Sequence, residues 1–238
     1  MQYFQDESNT ENKIIVSITY QFPQKGYSTF NQKKPLASLL ITLDNSEADI
    51  IKVPVQVAQF FKKDNIEVPI SYVSFLEILH QQELSCCKQK IEQMLNKRDY
   101  TVFEISQKFK LAGYQPDVSE QIINWACKQN FLNDERYAQT FIESKKRCGW
   151  GRYKIETSLR NKGIRLDTFD GYPNAYFNEG EEFEHAYTLI EKKSIPHQHP
   201  FQKLSRFLVS KGFSPSISSE VVKMYLDNSE QKCDEQIY

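Results

Sequence analysis

A chain of 238 residues, 39% hydrophobic and 26% charged, is long enough for one large domain or two small ones with a core of their own. Thirty basic against 31 acidic residues leave a net charge of −1, which excludes a global field that would draw the whole molecule onto a polyanion. The N-terminus, MQYFQDESNTENK, has no basic segment followed by an apolar stretch, and the longest apolar runs are as short as Leu39-Leu40-Ile41, so neither a secretory signal nor a membrane span is expected.

The first dozen residues are polar and read as frayed. Ile14, Val16, Ile18, Tyr20 and Phe22 then alternate with Lys13, Ile15, Ser17, Thr19 and Gln21, the period of a half-buried strand. A loop over residues 23–35 leads to a second alternation, Ala37, Leu39, Ile41 and Leu43. Asp44-Asn45-Ser46-Glu47 supplies turn chemistry, and residues 49–55 read as a return strand. Pro54 lacks an N–H and belongs at an edge or a strand end. Helical pieces are expected near residues 57–63 and 72–82.

The remainder is helical and repeats. Gly113, Gly163 and Gly212 lie 50 and 49 residues apart, each where an amphipathic stretch stops. Eight residues before them stand Ile105, Ile155 and Leu204; four before, Phe109, Leu159 and Leu208; one after, Tyr114, Ile164 and Phe213. Residues four apart share a helix face. A glycine past the last turn takes the left-handed cap conformation, and the next apolar residue folds back on the helix. Thr101-x-x-Glu104 gives the first of these helices a capping box.

Val118, Ile122, Ile123 and Ala126 follow Gly113 at the offsets at which Ile217, Val221, Val222 and Tyr225 follow Gly212. This predicts a further helix in each copy, opened by Asp117 or Ser119 in one and Ser216 in the other. Ala138/Phe141/Ile142 and Ala186/Leu189/Ile190 mark a preceding helix in the second and third copies. The middle copy carries DTFDGYPNAYFNEG where its third helix belongs, and Gly171 and Pro173 oppose a continuous helix. The fold expected is mainly all-α: tandem three-helix repeats in an elongated curved array, with a small β-hairpin or three-stranded N-terminal extension. The division is an extension over 1–83, repeats over 84–130, 131–179 and 180–228, and a polar tail over 229–238.

Charge is sorted along the chain. Residues 128–165 hold ten basic against four acidic residues, a local +6, and residues 166–238 hold seven against twelve, a local −5. Such sorting suits a local binding face. Five cysteines, Cys86, Cys87, Cys127, Cys148 and Cys233, form no C-x-x-C and are odd in number. That argues against a disulfide framework or zinc site and for a reducing cytoplasm.

The stretch FLNDERYAQTFIESKKRCGWGRYKIETSLRNKGI, residues 131–164, resembles the signature region of the RecX family. It carries an Asp-rich helix start at Asn133-Asp134, followed by Arg136, the aromatic–Ala pair Tyr137-Ala138 and Phe141. A G-aromatic-G turn at Gly149-Trp150-Gly151 follows, then Ile155 and the final L-x-x-K-G-I from Leu159 through Gly163 to Ile164. The likeness covers roughly residues 36–228. Three departures are Asn133 where an acidic residue is common, the disrupted third helix of the middle copy, and a longer extension before Pro35. The resemblance implies a non-enzymatic cytoplasmic regulator without cofactor or metal. Such proteins bind in the groove of a RecA-like recombinase filament on single-stranded DNA and dampen ATP hydrolysis and strand exchange. The chain is expected to act as a monomer away from membranes.

The candidate contact residues are Lys145, Lys146, Arg147, Arg152, Lys154, Arg160, Lys162 and Arg165, because lysine and arginine neutralise phosphates independently of sequence. Without the resemblance, Lys145, Lys146 and Arg147 read as a solvated helix end that suits the dipole; with it, the set reads as a binding face for DNA or an acidic recombinase surface. Trp150 reads as filling the gap in a helix–helix turn, with stacking on a base or partner as the alternative. Tyr137 and Phe141 read as core, and Phe131 is grouped with them as a structural signature residue. His197 and His199, flanked by Pro196 and Pro200, read as an inter-helix turn rather than half a metal site. Cys86 and Cys87 are placed at a helix start, where a thiol pKa can fall, with a small buried hydrophobe as the default. No phosphate-binding loop, dinucleotide fingerprint or Ser/His/Asp grouping occurs, and no carboxylates converge for a nuclease.

Overall fold

The computed structural model describes residues 13–24, 33–64 and 66–235, with side chains to residue 229. The first dozen residues, most of the loop expected at 23–35 and the Cys233 side chain lie outside these. Two units emerge, residues 1–133 and 134–238.

In the first unit, β1 (Ile14–Gln21), β2 (Ala37–Leu43) and β3 (Ala48–Val53) form antiparallel pairs. A two-residue β4 (Ile70–Ser71), too short to leave a period in the sequence, joins the other side of β1, giving the order β3-β2-β1-β4. The predicted inward face of β1 is corrected at its start. Ile15 pairs with Leu43 and Ser17 with Thr42, so Val16 is an extra residue, a bulge that flips the side-chain phase. Ile15 is therefore fully buried while Ile14 and Val16 stay 42% and 44% exposed. Beyond the bulge Ile18 and Tyr20 pack on the core as expected.

Pro54 ends the return strand and leads into α1 (Val55–Asp64), its carbonyl accepting from Val57. The next helix, α2 (Tyr72–Leu95), is more than twice the expected length. Its first half places Tyr72, Phe75 and Leu79 under the sheet beside Phe61 of α1. Its second half is the first helix of repeat one. Cys87 and Ile91, 26 and 22 residues before Gly113, are fully buried and match Ala186 and Ile190 before Gly212. Cys86 and Cys87 thus lie mid-helix rather than at a helix start, and burial raises both thiols instead of lowering them.

The three glycine-terminated helices are equivalent. They are α3 (Val102–Ala112), α6 (Arg152–Asn161) and α8 (Pro200–Lys211). Gly113, Gly163 and Gly212 have φ of 81°, 80° and 97°. The N–H of the residue after each glycine donates to the carbonyl of Phe109, Leu159 and Leu208 respectively, the six-to-one bond of a Schellman cap. The positions eight and four before each glycine and one after it are all buried. Thr101 and Glu104 form the capping box of α3.

The third helices are α4 (Pro116–Lys128) and α9 (Pro215–Glu235). Both begin with proline three residues after the glycine, so the openings fall earlier than predicted, after Gln115 and after Ser214, whose hydroxyl accepts from the Ile217 N–H. α9 runs into the stretch expected as a polar tail. In the middle copy the third helix is replaced, as its Gly and Pro require, by one 3₁₀ turn (Leu166–Thr168) and a loop whose Tyr176 and Phe177 close the core of Ala138, Ile142, Ile155 and Leu159. The first helices of copies two and three are α5 (Asp134–Arg147) and α7 (Glu179–Glu191).

One buried charge stands out in the first unit. Glu83 of α2 is fully enclosed and neither carboxyl oxygen has a hydrogen-bond partner among the described residues. Burial, then the charge of Asp117 on α4, pushes it from an ordinary value near 4.5 up to about 8. A carboxyl raised in the folded state holds its proton where the unfolded chain has lost it, so its stabilisation is complete below about 4.5 and is lost as pH rises to about 8. The stability of the first unit against chemical denaturant should fall across that window with a slope of up to about 1.4 kcal/mol per pH unit. Glu83→Gln should flatten that slope, and an unchanged slope in the variant would remove Glu83 as its source.

Candidate nucleic-acid interface

In the second unit α5 and α6 are joined by the Gly149-Trp150-Gly151 turn. Asp134 and Glu135 occupy the first turn of α5 and Lys145, Lys146 and Arg147 the last, the arrangement that complements a helix dipole. Ala138 and Ile142 are buried. Tyr137, Phe141 and Lys145, four apart, form the stripe next to them and span about 12 Å along the helix.

That stripe is the central feature of the site. The rings of Tyr137 and Phe141 are stacked, centroids 6.1 Å apart and planes 16° from parallel. The Lys145 ammonium lies 5.3 Å from the Phe141 centroid and 5.1 Å from that of Trp150. The Lys154 ammonium, from α6, sits 4.5 Å from the centroid of the same Trp150 ring. At the other end Lys162 reaches back to within 5.6 Å of Tyr137. The order is Lys162, Tyr137, Phe141, Lys145, Trp150, Lys154, and each of the six is partly exposed. Tyr137 and Phe141 pack against the core of the second unit, as expected, and are at the same time half-buried members of this surface row. Trp150 does pack in the helix–helix turn, and the Lys145 and Lys154 ammonium groups both approach its ring. Only the four-residue spacing of Tyr137, Phe141 and Lys145 hinted at this row; the approach of Lys154 and Lys162 needed the α5–α6 pairing.

Two of the predicted contact residues face another way. The Arg152 Nε donates to Glu156 at 2.6 Å and a terminal nitrogen to the Tyr172 hydroxyl at 3.0 Å. That hydroxyl itself donates to Glu156 at 2.7 Å. Lys146 lies 3.5 Å from Glu181 and 5.5 Å from the Phe177 ring centroid. Both line a cavity of about 90 Å³ with Glu181, Glu182 and His185. Burial raises Glu182 and lowers His185 from their ordinary values. These two cations hold the loop of the missing helix and α7 in place. Arg147 and Arg160 are exposed. Arg165 is exposed and pairs with Asp167 at 2.8 Å, and that hydrogen bond holds the aspartate below the usual carboxylate range.

The start of α6 is closed by repeat three. The Gly151 N–H donates to the Lys211 carbonyl at 2.9 Å and the Tyr153 N–H to that of Gly212 at 3.0 Å. The Arg152 N–H donates to Glu182 at 3.0 Å. Amides left over at one helix start thus meet carbonyls left over at another helix end. A Cβ at Gly151 would run into the main chain of Gly212 and Phe213, and one at Gly212 into Lys154. Phosphate at this helix start is excluded, so any anion contact in this region falls to side chains.

Phe131, 50% exposed, lies against Trp125 at 5.5 Å in the first unit. His197 and His199 fall in the turn between α7 and α8. Among the described residues no group of three or more His, Cys, Asp or Glu could hold a metal, and no helix is long and apolar enough to cross a membrane.

The chain is thus a helical-repeat protein whose second unit carries a surface row of lysines and aromatic rings. Residues 133–168 match the family described as RecX, second three-helix domain. The chain is 32% identical over 143 residues to regulatory protein RecX of Clostridium beijerinckii, covering 58% of this chain and 67% of that one. With its counterpart from the Eklund 17B strain of Clostridium botulinum it shares 30% identity over 175 residues, 70% of this chain and 82% of the relative. A crystal structure of regulatory protein RecX superposes with a TM-score of 0.55 at 19% identity, covering 88% of this chain and 98% of that one, a likeness of fold. The chain belongs to the RecX family of regulatory proteins.

Because the repeat-two/repeat-three junction is made by main chain, Gly151→Ala should destabilise the second unit by about 2–4 kcal/mol, within the range of buried steric and hydrogen-bond losses. Lys154→Ala should stay within about 0.5 kcal/mol of the parent. Urea denaturation of both variants checks this; equal midpoints would show that the junction tolerates a methyl group.

Proposed function

We propose that this chain is a non-enzymatic regulator that binds a RecA-like recombinase filament on single-stranded DNA and restrains its ATP hydrolysis and strand exchange. Family membership supports a regulatory role, and the observation that carries the DNA contact is the row Lys162, Tyr137, Phe141, Lys145, Trp150, Lys154. Lysines neutralise phosphates and release counterions. The aromatic faces between them offer stacking at about 1–3 kcal/mol per base. A duplex hides its base faces whereas a single strand offers them, so the alternation favours the unpaired strand over a double helix or an acidic protein surface.

Alanine at Lys145, Lys154 and Lys162 together should lower the slope of log affinity against log salt for an oligothymidylate by about 2, since each single-strand phosphate contact contributes roughly 0.7. Trp150→Ala should weaken binding about tenfold or more. Inhibition of recombinase ATPase and strand exchange, expected at substoichiometric amounts, should decline in parallel. A triple variant that inhibits at the parental dose with the parental salt slope rules the row out as the contact. Inhibition that persists while oligonucleotide binding is lost instead favours a scaffold that touches only protein.

A further inference from the structure

We infer that the contact for single-stranded nucleic acid continues from repeat two onto α8 of repeat three, where Phe207 and the cations Lys193, Lys203 and Lys211 form its second half. The inference rests on the reading of the α5–α6 row as such a contact and adds to it residues of a different repeat.

The stripe on α8 lies where the stripe on α5 lies, relative to the core. On α5 the buried Ala138 and Ile142 each stand one position after Tyr137 and Phe141, which lead to Lys145. On α8 the buried Leu204 and Leu208 stand one position after Lys203 and Phe207, which lead to Lys211. Residues 203, 207 and 211 are four apart and share one helix face over about 12 Å. The Lys211 ammonium lies 5.6 Å from the Phe207 centroid. A further cation comes from outside the helix, as Lys154 does on repeat two: the Lys193 ammonium, just past α7, lies 3.9 Å from the same centroid. Main chain fixes Lys193 there. Its N–H donates to the Ile190 carbonyl at 2.9 Å, and its carbonyl accepts from the Tyr225 hydroxyl of α9 at 3.5 Å. Phe207 and Lys211 are half-buried, whereas Lys193 and Lys203 are exposed.

The two rows meet at the repeat junction. Lys211 gives its carbonyl to the Gly151 N–H at 2.9 Å, one residue from Trp150, and Gly212 lies against Lys154. The α8 stripe therefore ends beside the Trp150–Lys154 end of the first row. Its cations are unopposed. Residues 192–211 hold five basic residues and no Asp or Glu. Among the described residues no carboxylate pairs with Lys193, Lys203, Arg206 or Lys211. Gathering like charges costs free energy in the free protein, and a polyanion reverses that cost. The Phe207 ring beside these cations suits an unpaired base as they suit phosphate, which favours a single strand over an acidic protein surface. The net charge of −5 over residues 166–238 hides the segment, because all twelve acidic residues of that region lie outside it.

The full chain should be titrated at several salt concentrations with an oligothymidylate long enough to span both rows. Four proteins are compared: the parent, K193A/K203A/K211A, K193R/K203R/K211R and the row variant K145A/K154A/K162A. Three lost single-strand contacts should lower the salt slope of the α8 alanine variant by about 2, while the arginine variant keeps the parental slope. In the parent, the oligonucleotide should protect Lys193 and Lys211 from acetylation, read by mass spectrometry. A parental slope in the α8 alanine variant, or equal acetylation of both lysines with and without oligonucleotide, overturns the inference. A slope lost equally by the arginine variant would trace to disturbed packing and overturn it too. If the row variant alone loses slope, the α8 contact fails and the row stands; if the α8 alanine variant alone loses slope, the α8 contact stands by itself and the reading of the row fails. Protection of Lys193 and Lys211 by the recombinase without DNA, and not by oligonucleotide, would make α8 a protein contact and overturn its assignment to phosphate.

Discussion

The second unit depends on one contact between helix ends. The amides that open α6 donate to the carbonyls that close α8, at 2.9 and 3.0 Å, and both partners must lack a side chain for the main chains to approach. This junction fixes where α6 starts, and with it the place of Trp150 and Lys154 on the surface. It also uses up the α6 helix start, which would otherwise invite an anion. Gly151 therefore serves assembly, and the amides of this helix start are already taken by main-chain carbonyls.

Replacement of one helix explains how the cations are divided. In the outer copies the third helix packs Val118 or Val221 against its neighbours. In the middle copy Tyr176 and Phe177 fill that space, and Tyr172 engages Arg152. Arg152 also pairs with Glu156 of its own helix, and Lys146 with Glu181 of α7. Lys145, Lys154 and Lys162 lie beside aromatic rings, where a cation gains about 0.5–1 kcal/mol at an exposed site.

Much of this was legible in the sequence, for identifiable reasons. The three glycines revealed the repeat because a left-handed cap and the apolar residues around it are local requirements that each copy must meet. The absent third helix was legible because Gly171 and Pro173 are local too. The phase of β1 was not, because three consecutive apolar residues, Ile14 to Val16, fit either face until the bulge decides. The length of α2 was missed because its buried stripe, which runs from Tyr72 to Met94, carries a carboxylate, Glu83, at its midpoint. At the candidate site the cations were found as a set, but their partition depends on Glu156, Glu181 and Tyr172, distant in sequence. The surface role of the stacked Tyr137–Phe141 pair was missed because four-residue aromatic spacing looks the same on a buried stripe and on the one beside it.

The most direct test of the central claim uses the tryptophan itself. The chain has two tryptophans, so Trp125→Phe leaves Trp150 as the only indole emitter. Titration with an oligothymidylate should quench its fluorescence saturably, and added salt should restore it. Emission that stays unchanged while an independent readout shows the oligonucleotide bound would contradict base stacking on the row.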